Sequence, residues 1–449
     1  MRSIILLTLA LAFTACSPVS QKSQEAEPVS PPNVIIILAD DMGFGDVGAN
    51  GAKSIATPAL DALAKRGANF TQFYASANVC SPSRAGLMTG RYPIRSGLAY
   101  GVIEAKDTRG IPASEQTLGE LAQSAGYATK FIGKWHLGLF PDYAPMKHGF
   151  DQFLGVPHSN DMPDFALYEE DEVVEREVDQ SKLTERYTQA ATEFIDANSG
   201  GPFLLFVSHT MPHIPLYPSA GFVGKSNAGT YGDVVEEIDA STGRIVETLK
   251  RNGLFENTII IFTSDNGPFF EGGTSGLKGG KGSTWEGAYR VPLLISWPAG
   301  FAPAGDVDAI SMNTDILPTV AAAIGTEPSA KILDGANLLP ILRKEAESAH
   351  DYLLYFNNEE VVGIRDQQWK YLTHTYYRRS IGAFEKFDQL DGFSRSYDLL
   401  FQAKAAGGEA YSMADRQPEV LSRMKAQLAK ARAEMEPLRT HSADETFPR

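Results

Sequence analysis

The chain has 449 residues, of which 43% are hydrophobic and 10% aromatic, enough apolar material for one large core and a smaller one. Its 55 acidic residues outnumber its 40 basic residues and give a net charge of −15. This balance argues against a general nucleic-acid-binding protein, but it is compatible with a local basic site for a small anion. We therefore expect one large domain and one appendage.

The N-terminal residues 1–16 have the pattern of an export signal. An apolar run over residues 4–12, too short to remain in a membrane as a spanning helix, leads through small residues to Cys16. Residues 13–16 resemble a bacterial lipobox, in which the cysteine becomes the acylated first residue. We expect an exported protein, either periplasmic or anchored as a lipoprotein at the outer membrane, with plain secretion as the alternative. Residues 17–32, rich in Ser, Pro, Gln and Glu, are typical of a flexible tether.

The chain contains two cysteines, Cys16 and Cys80. If Cys16 is cleaved off or lipidated, Cys80 is the one remaining thiol of the mature chain. An exported protein in this state has no internal disulfide, so Cys80 needs another explanation.

Apolar strands alternate with amphipathic helices from residue 33 onward. Residues 33–39 form a continuous β-branched run, typical of a strand buried on both faces of a mostly parallel sheet. Thr57 as a cap and Pro58 in the first turn predict a helix that ends near Gly67. The other elements predicted here are a helix over residues 118–124, strands over 128–132, 203–207 and 259–262, and a helix over 233–250. This alternation predicts an α/β fold with a large, mixed, mostly parallel sheet flanked by helices.

The pattern changes after about residue 345. Short alternating strands are predicted over residues 352–356, 361–364 and 369–372, followed by a closing helix over 417–435. These elements indicate a small antiparallel sheet with one helix. The predicted divisions are the signal over 1–16, the tether over 17–32, a large domain over 33–345 and a small α+β subdomain over 346–449.

Two predicted strands end in acids or amides. Asp40 and Asp41 follow the first strand, and Asp265 and Asn266 follow the strand at 259–262. The carboxyl edge of an open α/β sheet is where such folds bind ligands, and four hard oxygen donors there suit Ca²⁺ or Mg²⁺. Either pair alone more often caps a turn or a helix, and that alternative stays open at this point.

Residues 80–91 read Cys-Ser-Pro-Ser-Arg-Ala-Gly-Leu-Met-Thr-Gly-Arg. This segment resembles the sulfatase signature, Cys-x-Pro-Ser-Arg followed by Leu-x-Thr-Gly-Arg, at every defining position. The chain is thereby identified as a member of the type I, formylglycine-dependent sulfatases, similar to arylsulfatase A and with an alkaline phosphatase-like fold. An isolated cysteine is more often a small buried hydrophobe, and the length of the match argues against that reading.

The resemblance implies how Cys80 would react. A formylglycine-generating maturation enzyme would oxidise it to an aldehyde, 3-oxoalanine, whose hydrate carries two hydroxyl groups. One hydroxyl would attack sulfur with metal assistance, and the other would later collapse to expel sulfate. By the same resemblance, the metal ligands would be Asp40, Asp41, the modified residue at Cys80, Asp265 and Asn266, with Ca²⁺ expected and Mg²⁺ as the alternative.

Further blocks resemble the family in its own order. Within residues 133–138, Lys134 would hold the nucleophile and the sulfate, and His136 would receive the proton of the hydrate. The family places its leaving-group histidine directly before x-Pro, which selects His213, since a neutral-range pKa suits a proton donor. His209 would then only orient a loop.

The last block, residues 279–287, resembles the segment in which a lysine before Gly-Ser/Thr-Thr contacts sulfate, and this selects Lys281 over Lys278. Arg84, four residues past Cys80, would return along a helix turn to fix the hydrate or to balance the acids. A shorter stretch similar to arylsulfatase A-like members implies Ser159 as a further sulfate contact.

The resemblance implies a hydrolase of sulfate esters that acts on a sulfated carbohydrate or an aryl sulfate. Two alternatives stay open: a phosphodiester or phosphonate monoester hydrolase of the same superfamily, and a non-catalytic lipoprotein that binds sulfated glycans. No nucleic acid partner is expected, and membrane contact is expected only through the lipid anchor. Candidates for the outer pocket, each as compatible with a plain surface position, are Glu104, His158, Asn160, Asp161, Arg378 and Arg379.

Overall fold

The computed structural model describes residues 30–329, 332–375, 395–403 and 408–441. The export signal, nearly all of the tether, and the candidates Arg378 and Arg379 lie outside these residues. Within the described ranges, no helix is both long and apolar enough to cross a membrane.

The strands are short and, in the large domain, separated by helices. They are β1 (Asn33–Ala39), β2 (Ala68–Phe70), β3 (Phe73–Tyr74), β4 (Ala128–Lys134), β5 (Gln152–Val156), β6 (Leu167–Glu169), β7 (Glu172–Glu175), β8 (Phe203–Ser208), β9 (Thr258–Ser264), β10 (Leu293–Ser296), β11 (Gly305–Val307), β12 (Ser311–Met312), β13 (Leu353–Asn357), β14 (Glu360–Arg365), β15 (Trp369–Thr375) and β16 (Arg395–Gln402). The α-helices are α1 (Pro58–Arg66), α2 (Cys80–Thr89), α3 (Leu118–Ser124), α4 (Leu183–Ala197), α5 (Gly229–Arg251), α6 (Glu286–Tyr289), α7 (Ile316–Ile324), α8 (Leu339–Leu342) and α9 (Pro418–Met435).

Ten of the described strands form one mixed sheet in the order β11-β2-β10-β9-β1-β8-β4-β5-β6-β7. The centre, from β9 through β1, β8 and β4 to β5, is parallel, whereas β10, β6 and β7 pair antiparallel toward the edges. The predicted fold class is therefore confirmed. The antiparallel strands β6, β7 and β10 are additions that the sequence pattern did not predict.

The central strand β1 is buried on both faces, as its β-branched run predicts. Its residues point alternately to opposite sides, so Val34 and Ile36 pack into one hydrophobic cluster and Ile35 and Ile37 into another. The first cluster includes buried residues of α2, α3 and α7, and the second includes buried residues of α1, α4 and α5. Helices therefore cover both faces and leave the carboxyl edge of the sheet for polar side chains.

The C-terminal part contains an antiparallel sheet in the order β13-β14-β15-β16, with α9 packed on β14. Three of these strands match the prediction closely, and β16 is an unpredicted fourth. On α9, the buried residues are Met424, Leu428, Ala431 and Met435, at the spacing of one helix face. The domain boundary at residue 345 stays a prediction.

The start of α1 differs in detail from the prediction. Pro58 occupies the first turn as expected, but the Thr57 side chain makes no capping hydrogen bond. Its hydroxyl instead accepts from Gly48 N at 2.8 Å and donates to Asp61 Oδ1 at 3.2 Å. Thr57 therefore joins the helix to the preceding loop, a tertiary contact that local sequence does not encode.

Candidate active site

The two acidic pairs meet at the carboxyl edge of the large sheet. Strands β1 and β9 are parallel neighbours with Ala39 opposite Ser264, so the residues that follow them emerge side by side. Asp41 N donates to Asp265 Oδ1 at 3.0 Å, and Asn266 Nδ2 donates to Asp41 Oδ1 at 2.7 Å. The side chains of Asp40, Asp41, Asp265 and Asn266 are all buried.

Cys80 is the first residue of α2, and its thiol lies against this edge. The Sγ atom is 3.8 Å from Asp40 Oδ1, 3.8 Å from Asp41 Oδ1 and 3.1 Å from Lys281 Nζ. Burial raises the pKa of the Cys80 thiol to about 12, despite the lysines nearby. An unmodified cysteine in this position is therefore a protonated thiol and a poor nucleophile at neutral pH.

Three cations balance the three carboxylates. Lys134 Nζ lies 2.6 Å from Asp40 Oδ2, and Lys281 Nζ lies 2.7 Å from Asp41 Oδ2. Burial by itself would raise the pKa of Asp40, but Lys134 and Arg84 outweigh it and hold that pKa below the usual value. At Asp41 burial again acts to raise the pKa, but Lys281 outweighs it, so the pKa of Asp41 is also lowered. Both carboxylates are therefore ionised at neutral pH.

Arg84 reaches the acids from the second turn of α2. Its Nε donates to Asp265 Oδ2 at 2.9 Å, and one terminal nitrogen lies 3.3 Å from Asp40 Oδ1. The other terminal nitrogen donates to Lys134 O at 2.9 Å and to Ser208 Oγ at 2.8 Å. Arg84 was expected either to fix the hydrate or to balance the charge of the acids, and these contacts fit the second role. Ser208, the last residue of β8, was missed by sequence reasoning, although its place at the same sheet edge was a usable signal.

His213 faces the acids with one ring nitrogen. Its Nε2 is 3.3 Å from Ser159 Oγ and 3.6 Å from Asp41 Oδ2. Its Nδ1 is 2.6 Å from Ile214 O, and since a carbonyl oxygen can only accept, Nδ1 carries the hydrogen of that bond. Ser159 Oγ also lies 3.3 Å from Lys134 Nζ, so Ser159 joins the cluster as expected.

His136 has the opposite arrangement of its ring. Its Nε2 lies 2.9 Å from Ile103 O, so this nitrogen carries a hydrogen, while the buried Nδ1 has no hydrogen-bond partner in the described part of the chain. Burial, with Lys134 and Arg84 adding to it, lowers the pKa of His136 well below its ordinary value. Its ring is therefore neutral, with a lone pair on Nδ1 that can accept a proton.

The residues that sequence reasoning set aside lie elsewhere. His209 is completely buried, and among the described residues neither of its ring nitrogens has a hydrogen-bond partner. Lys278 is exposed, with Nζ 3.5 Å from the centroid of the Trp285 ring. In the part of the chain that the structure describes, neither side chain contacts a carboxylate as His213 and Lys281 do.

The donor set fits a divalent cation. One ligand atom each from Asp40, Asp41, Cys80 and Asp265 lies within 4.8 Å of the others. Asn266 Oδ1 is buried and has no hydrogen-bond partner in the described residues, because its amide nitrogen takes the contacts to Asp41 and Gly267. Oxygen donors of this kind bind Ca²⁺ and Mg²⁺, and an otherwise costly unpaired acceptor is explained by such an ion.

Comparison with known proteins gives a consistent result. A family model described as Sulfatase matches residues 32–326, and one described as N-sulphoglucosamine sulphohydrolase, C-terminal, matches residues 280–396. Arylsulfatase A of Bos taurus is 35% identical over 460 residues, covering 94% of this chain and 88% of that protein. N-acetylgalactosamine-6-sulfatase of Mus musculus is 38% identical over 373 residues, covering 76% of this chain and 71% of that protein.

A solved structure from Bacteroides thetaiotaomicron, determined in work on the metabolism of multiple glycosaminoglycans, shares the architecture. It superposes with a TM-score of 0.81 at 26% identity, covering 90% of this chain and 100% of that chain.

Proposed function

This chain belongs to the sulfatase family and is a sulfuric ester hydrolase, and we propose that an aldehyde hydrate made from Cys80 is its nucleophile. The observation that carries the proposal is the setting of Cys80, whose Sγ lies 3.1 Å from Lys281 Nζ and 3.8 Å from two carboxylates. A thiol with a pKa near 12 is inert there, so this setting is hard to explain without modification of the residue.

The aldehyde hydrate would supply one oxygen to attack sulfur and a second hydroxyl whose ionisation lets sulfate leave. Its formation removes the thiol sulfur and oxidises Cβ by two electrons, so the maturation enzyme must supply an oxidant. A divalent cation held by Asp40, Asp41, Asp265, Asn266 and the oxygen at position 80 would add positive charge that favours an ionised hydroxyl. The buried donor set and the unpaired Asn266 Oδ1 support this metal site.

Lys134 and Lys281 would carry the electrostatic part of catalysis. Their ammonium groups stand 2.6 and 2.7 Å from Asp40 and Asp41 before any substrate arrives. Positive groups held in place in a buried site stabilise the charge that develops in the transition state without a reorganisation cost. Ser159, which is 3.3 Å from Lys134 Nζ, would add a hydrogen bond to sulfate.

Two histidines would divide the proton transfers. As the doubly protonated imidazolium, His213 would donate from Nε2 to the oxygen of the leaving alcohol, because its Nδ1 hydrogen is already committed to Ile214 O. His136 would accept a proton at Nδ1, which is unpaired, from the hydroxyl that remains at residue 80. In each ring the nitrogen bonded to a backbone carbonyl keeps its hydrogen, which leaves Nε2 of His213 and Nδ1 of His136 as the atoms that would exchange a proton.

We propose a sulfated carbohydrate as the natural substrate, with aryl sulfates as surrogates. The support comes from relatives, one named for N-acetylgalactosamine-6-sulfate and one from work on glycosaminoglycans. Export to the periplasm or outer membrane through residues 1–16 belongs to the same proposal, since it would bring the enzyme to polymers outside the cytoplasm.

The test is a pair of assays on protein expressed with a formylglycine-generating enzyme. Release of the phenol from an aryl sulfate and from a matched aryl phosphodiester is measured, with Cys80→Ala as the control. We expect sulfate ester cleavage with a loss on the order of 10⁴-fold or more in the variant, as for removal of a catalytic nucleophile elsewhere. Cleavage of the phosphodiester alone would favour the related hydrolase, and undiminished turnover by Cys80→Ala would remove Cys80 from the mechanism.

A further inference from the structure

The amide of Asn160 contacts the ring of His213 on the side away from the acids. Asn160 Oδ1 lies 3.1 Å from His213 Nδ1, whereas the opposite nitrogen, Nε2, faces Ser159 and Asp41. Asn160 itself is 5% exposed and follows β5, and His213 follows β8. The contact therefore joins two loops at the carboxyl edge of the sheet.

The hydrogen bonds around Asn160 fix which way its amide points. The Nδ2 atom donates to Pro215 O at 3.1 Å and to Gln180 Oε1 at 3.1 Å. Pro215 O can only accept, so the group facing it must be the amide nitrogen. The orientation of Gln180 is fixed in turn, because its Nε2 donates to Asn160 O at 3.3 Å. Oδ1 is therefore the atom presented to His213.

Asn160 Oδ1 and Ile214 O both accept from the same ring nitrogen of His213. Rotation of the ring by half a turn about its χ2 angle would exchange Nδ1 with a carbon and carry Nε2 away from Ser159 and Asp41. That torsion is broad and nearly two-fold in free histidine. Two acceptors on Nδ1 select one of the two ring orientations and keep the hydrogen on Nδ1 in the neutral and the charged ring alike.

We infer that Asn160, braced by Gln180, is a positioning residue that holds His213 with Nε2 toward the oxygen of the leaving alcohol. This inference rests on the proposed role of His213 as proton donor. It predicts a defect confined to proton donation: substrate binding and attack on sulfur use Lys134, Lys281 and residue 80, none of which bonds to Asn160.

The size of that defect depends on the leaving group. An alcohol such as a sugar hydroxyl leaves poorly without a proton, whereas 4-nitrophenol leaves readily as its anion. Loss of a well-oriented acid should therefore slow cleavage of a sugar sulfate far more than cleavage of 4-nitrophenyl sulfate. General loss of structure would slow both substrates by the same factor.

The experiment compares kcat and KM for these two substrates in wild type, Asn160→Ala and Asn160→Asp. Asn198→Ala is the matched control, since within the described residues the Asn198 side-chain amide, at the end of α4, bonds only to Phe194 O. For Asn160→Ala we expect kcat on the sugar sulfate to fall about 10- to 100-fold with KM nearly unchanged, and kcat on 4-nitrophenyl sulfate to fall by less than about threefold. Asn160→Asp keeps an acceptor for Nδ1 and should recover most of the loss, and Asn198→Ala should match wild type.

Two further variants separate this inference from the proposed function. Gln180→Ala should also lose more kcat on the sugar sulfate than on 4-nitrophenyl sulfate, but by a smaller factor than Asn160→Ala. This variant provides the test if Asn160→Ala folds poorly. In a His213→Ala background, adding Asn160→Ala should cause no further loss, because the effects of residues that act as a unit are not additive.

Equal losses on both substrates, or a leaving-group effect in His213→Ala but none in the Asn160 and Gln180 variants, would overturn the positioning role alone. Absence of any leaving-group effect in His213→Ala would overturn the proposed acid as well.

Discussion

Two buried clusters of charged and polar side chains differ in how completely they satisfy one another. The edge cluster, at the carboxyl edge of the large sheet, consists of Asp40, Asp41, Asp265, Arg84, Lys134 and Lys281. The clamp cluster, between α6 and the small sheet, consists of Tyr74, Glu286, Tyr355, Arg365, Lys370 and Glu409. Burying either cluster costs free energy, because its charged groups lose their hydration. The way in which those charges are compensated therefore indicates what each cluster does.

Each acid of the clamp cluster has a cationic partner within the cluster. Glu286 Oε1 accepts from Tyr355 Oη at 2.9 Å and from Lys370 Nζ at 3.0 Å, and its Oε2 accepts from Tyr74 Oη at 2.7 Å. Lys370 Nζ also lies 2.7 Å from Glu409 Oε1, which has this ion pair but no hydrogen bond within the described residues. Every oxygen of Glu286 thus has a donor, and the network joins the segment that carries Lys281 to β15.

The edge cluster leaves acceptors without donors. Within the described residues, Asn266 Oδ1 and His136 Nδ1 are buried and unpaired, and each such group costs about 1–3 kcal/mol. Three carboxylates also converge there, whereas the clamp cluster contains two. We infer that the clamp cluster stabilises the fold, whereas the unpaired acceptors of the edge cluster fit the proposed metal ion and modified residue.

The largest expected effect comes from breaking the edge cluster at Asp41. Asp41→Asn removes a candidate metal ligand and the partner of Lys281, so we expect sulfate ester hydrolysis to fall about 10³-fold or more. Ca²⁺ should raise the Tm of wild type and fail to do so in this variant. Glu286→Gln is the matched control, since it changes a buried acid of the clamp cluster and should keep the calcium response. A full calcium response in Asp41→Asn would contradict the assignment.

Breaking the clamp cluster should act mainly on stability. Lys370→Met leaves Glu286 and Glu409 without their shared cation, and loss of one partner from a buried pair typically costs about 3–5 kcal/mol. Urea unfolding followed by circular dichroism measures the change. The rate per folded molecule should fall far less than in Asp41→Asn. An unchanged free energy of unfolding with abolished turnover would reverse the roles given to the two clusters.

The clamp cluster should also contribute to acid unfolding. Burial alone would raise the pKa of Glu286, but Lys370 and Arg365 outweigh it and lower that pKa from 4.5 to about 2. The stabilisation is therefore present above pH 4.5 and is lost as the pH falls through the folded value near 2. Between pH 5 and pH 3, Glu286→Gln should flatten the slope of the unfolding free energy by up to about 1.4 kcal/mol per pH unit. Identical slopes in the two proteins would show that Glu286 does not titrate with this shift.

An exposed ion pair on the surface should give the smallest change in the free energy of unfolding. Arg244 donates to Glu185 at 2.7 Å, and about half of each side chain is exposed. Arg244→Ala should change the free energy of unfolding by about 0.5 kcal/mol or less, since water and salt screen such pairs. A loss as large as that of Lys370→Met would mean that burial is not what separates the clamp cluster from surface pairs.

The sequence predicted the parts of the site that depend on strand ends and contiguous motifs. Asp40 and Asp265 follow apolar runs that were predicted to be strands of a mostly parallel sheet, and neighbouring parallel strands end at one edge. Cys80, Lys134, His213 and Lys281 lie in blocks whose spacing resembles the sulfatase family, and the structure brings all of them to that edge.

What the sequence did not predict depends on contacts between distant segments. Asn160 was a candidate only for the outer pocket, because its contact with His213 forms when the loops after β5 and β8 come together. Lys370 lies in a predicted strand, but its ion pair with Glu286 depends on the packing of the small sheet against α6. The antiparallel strand β10 lacked a clear signal because its short apolar run, next to Pro292, is compatible with several structures.

The proposed modification of Cys80 can be measured directly from the mass of the peptide that contains residue 80. The protein is expressed with a formylglycine-generating enzyme, digested with a protease and analysed by mass spectrometry alongside an assay of sulfate release. We expect an aldehyde or its hydrate at residue 80, with activity that increases in proportion to the modified fraction. An active preparation in which residue 80 is entirely cysteine would contradict this expectation.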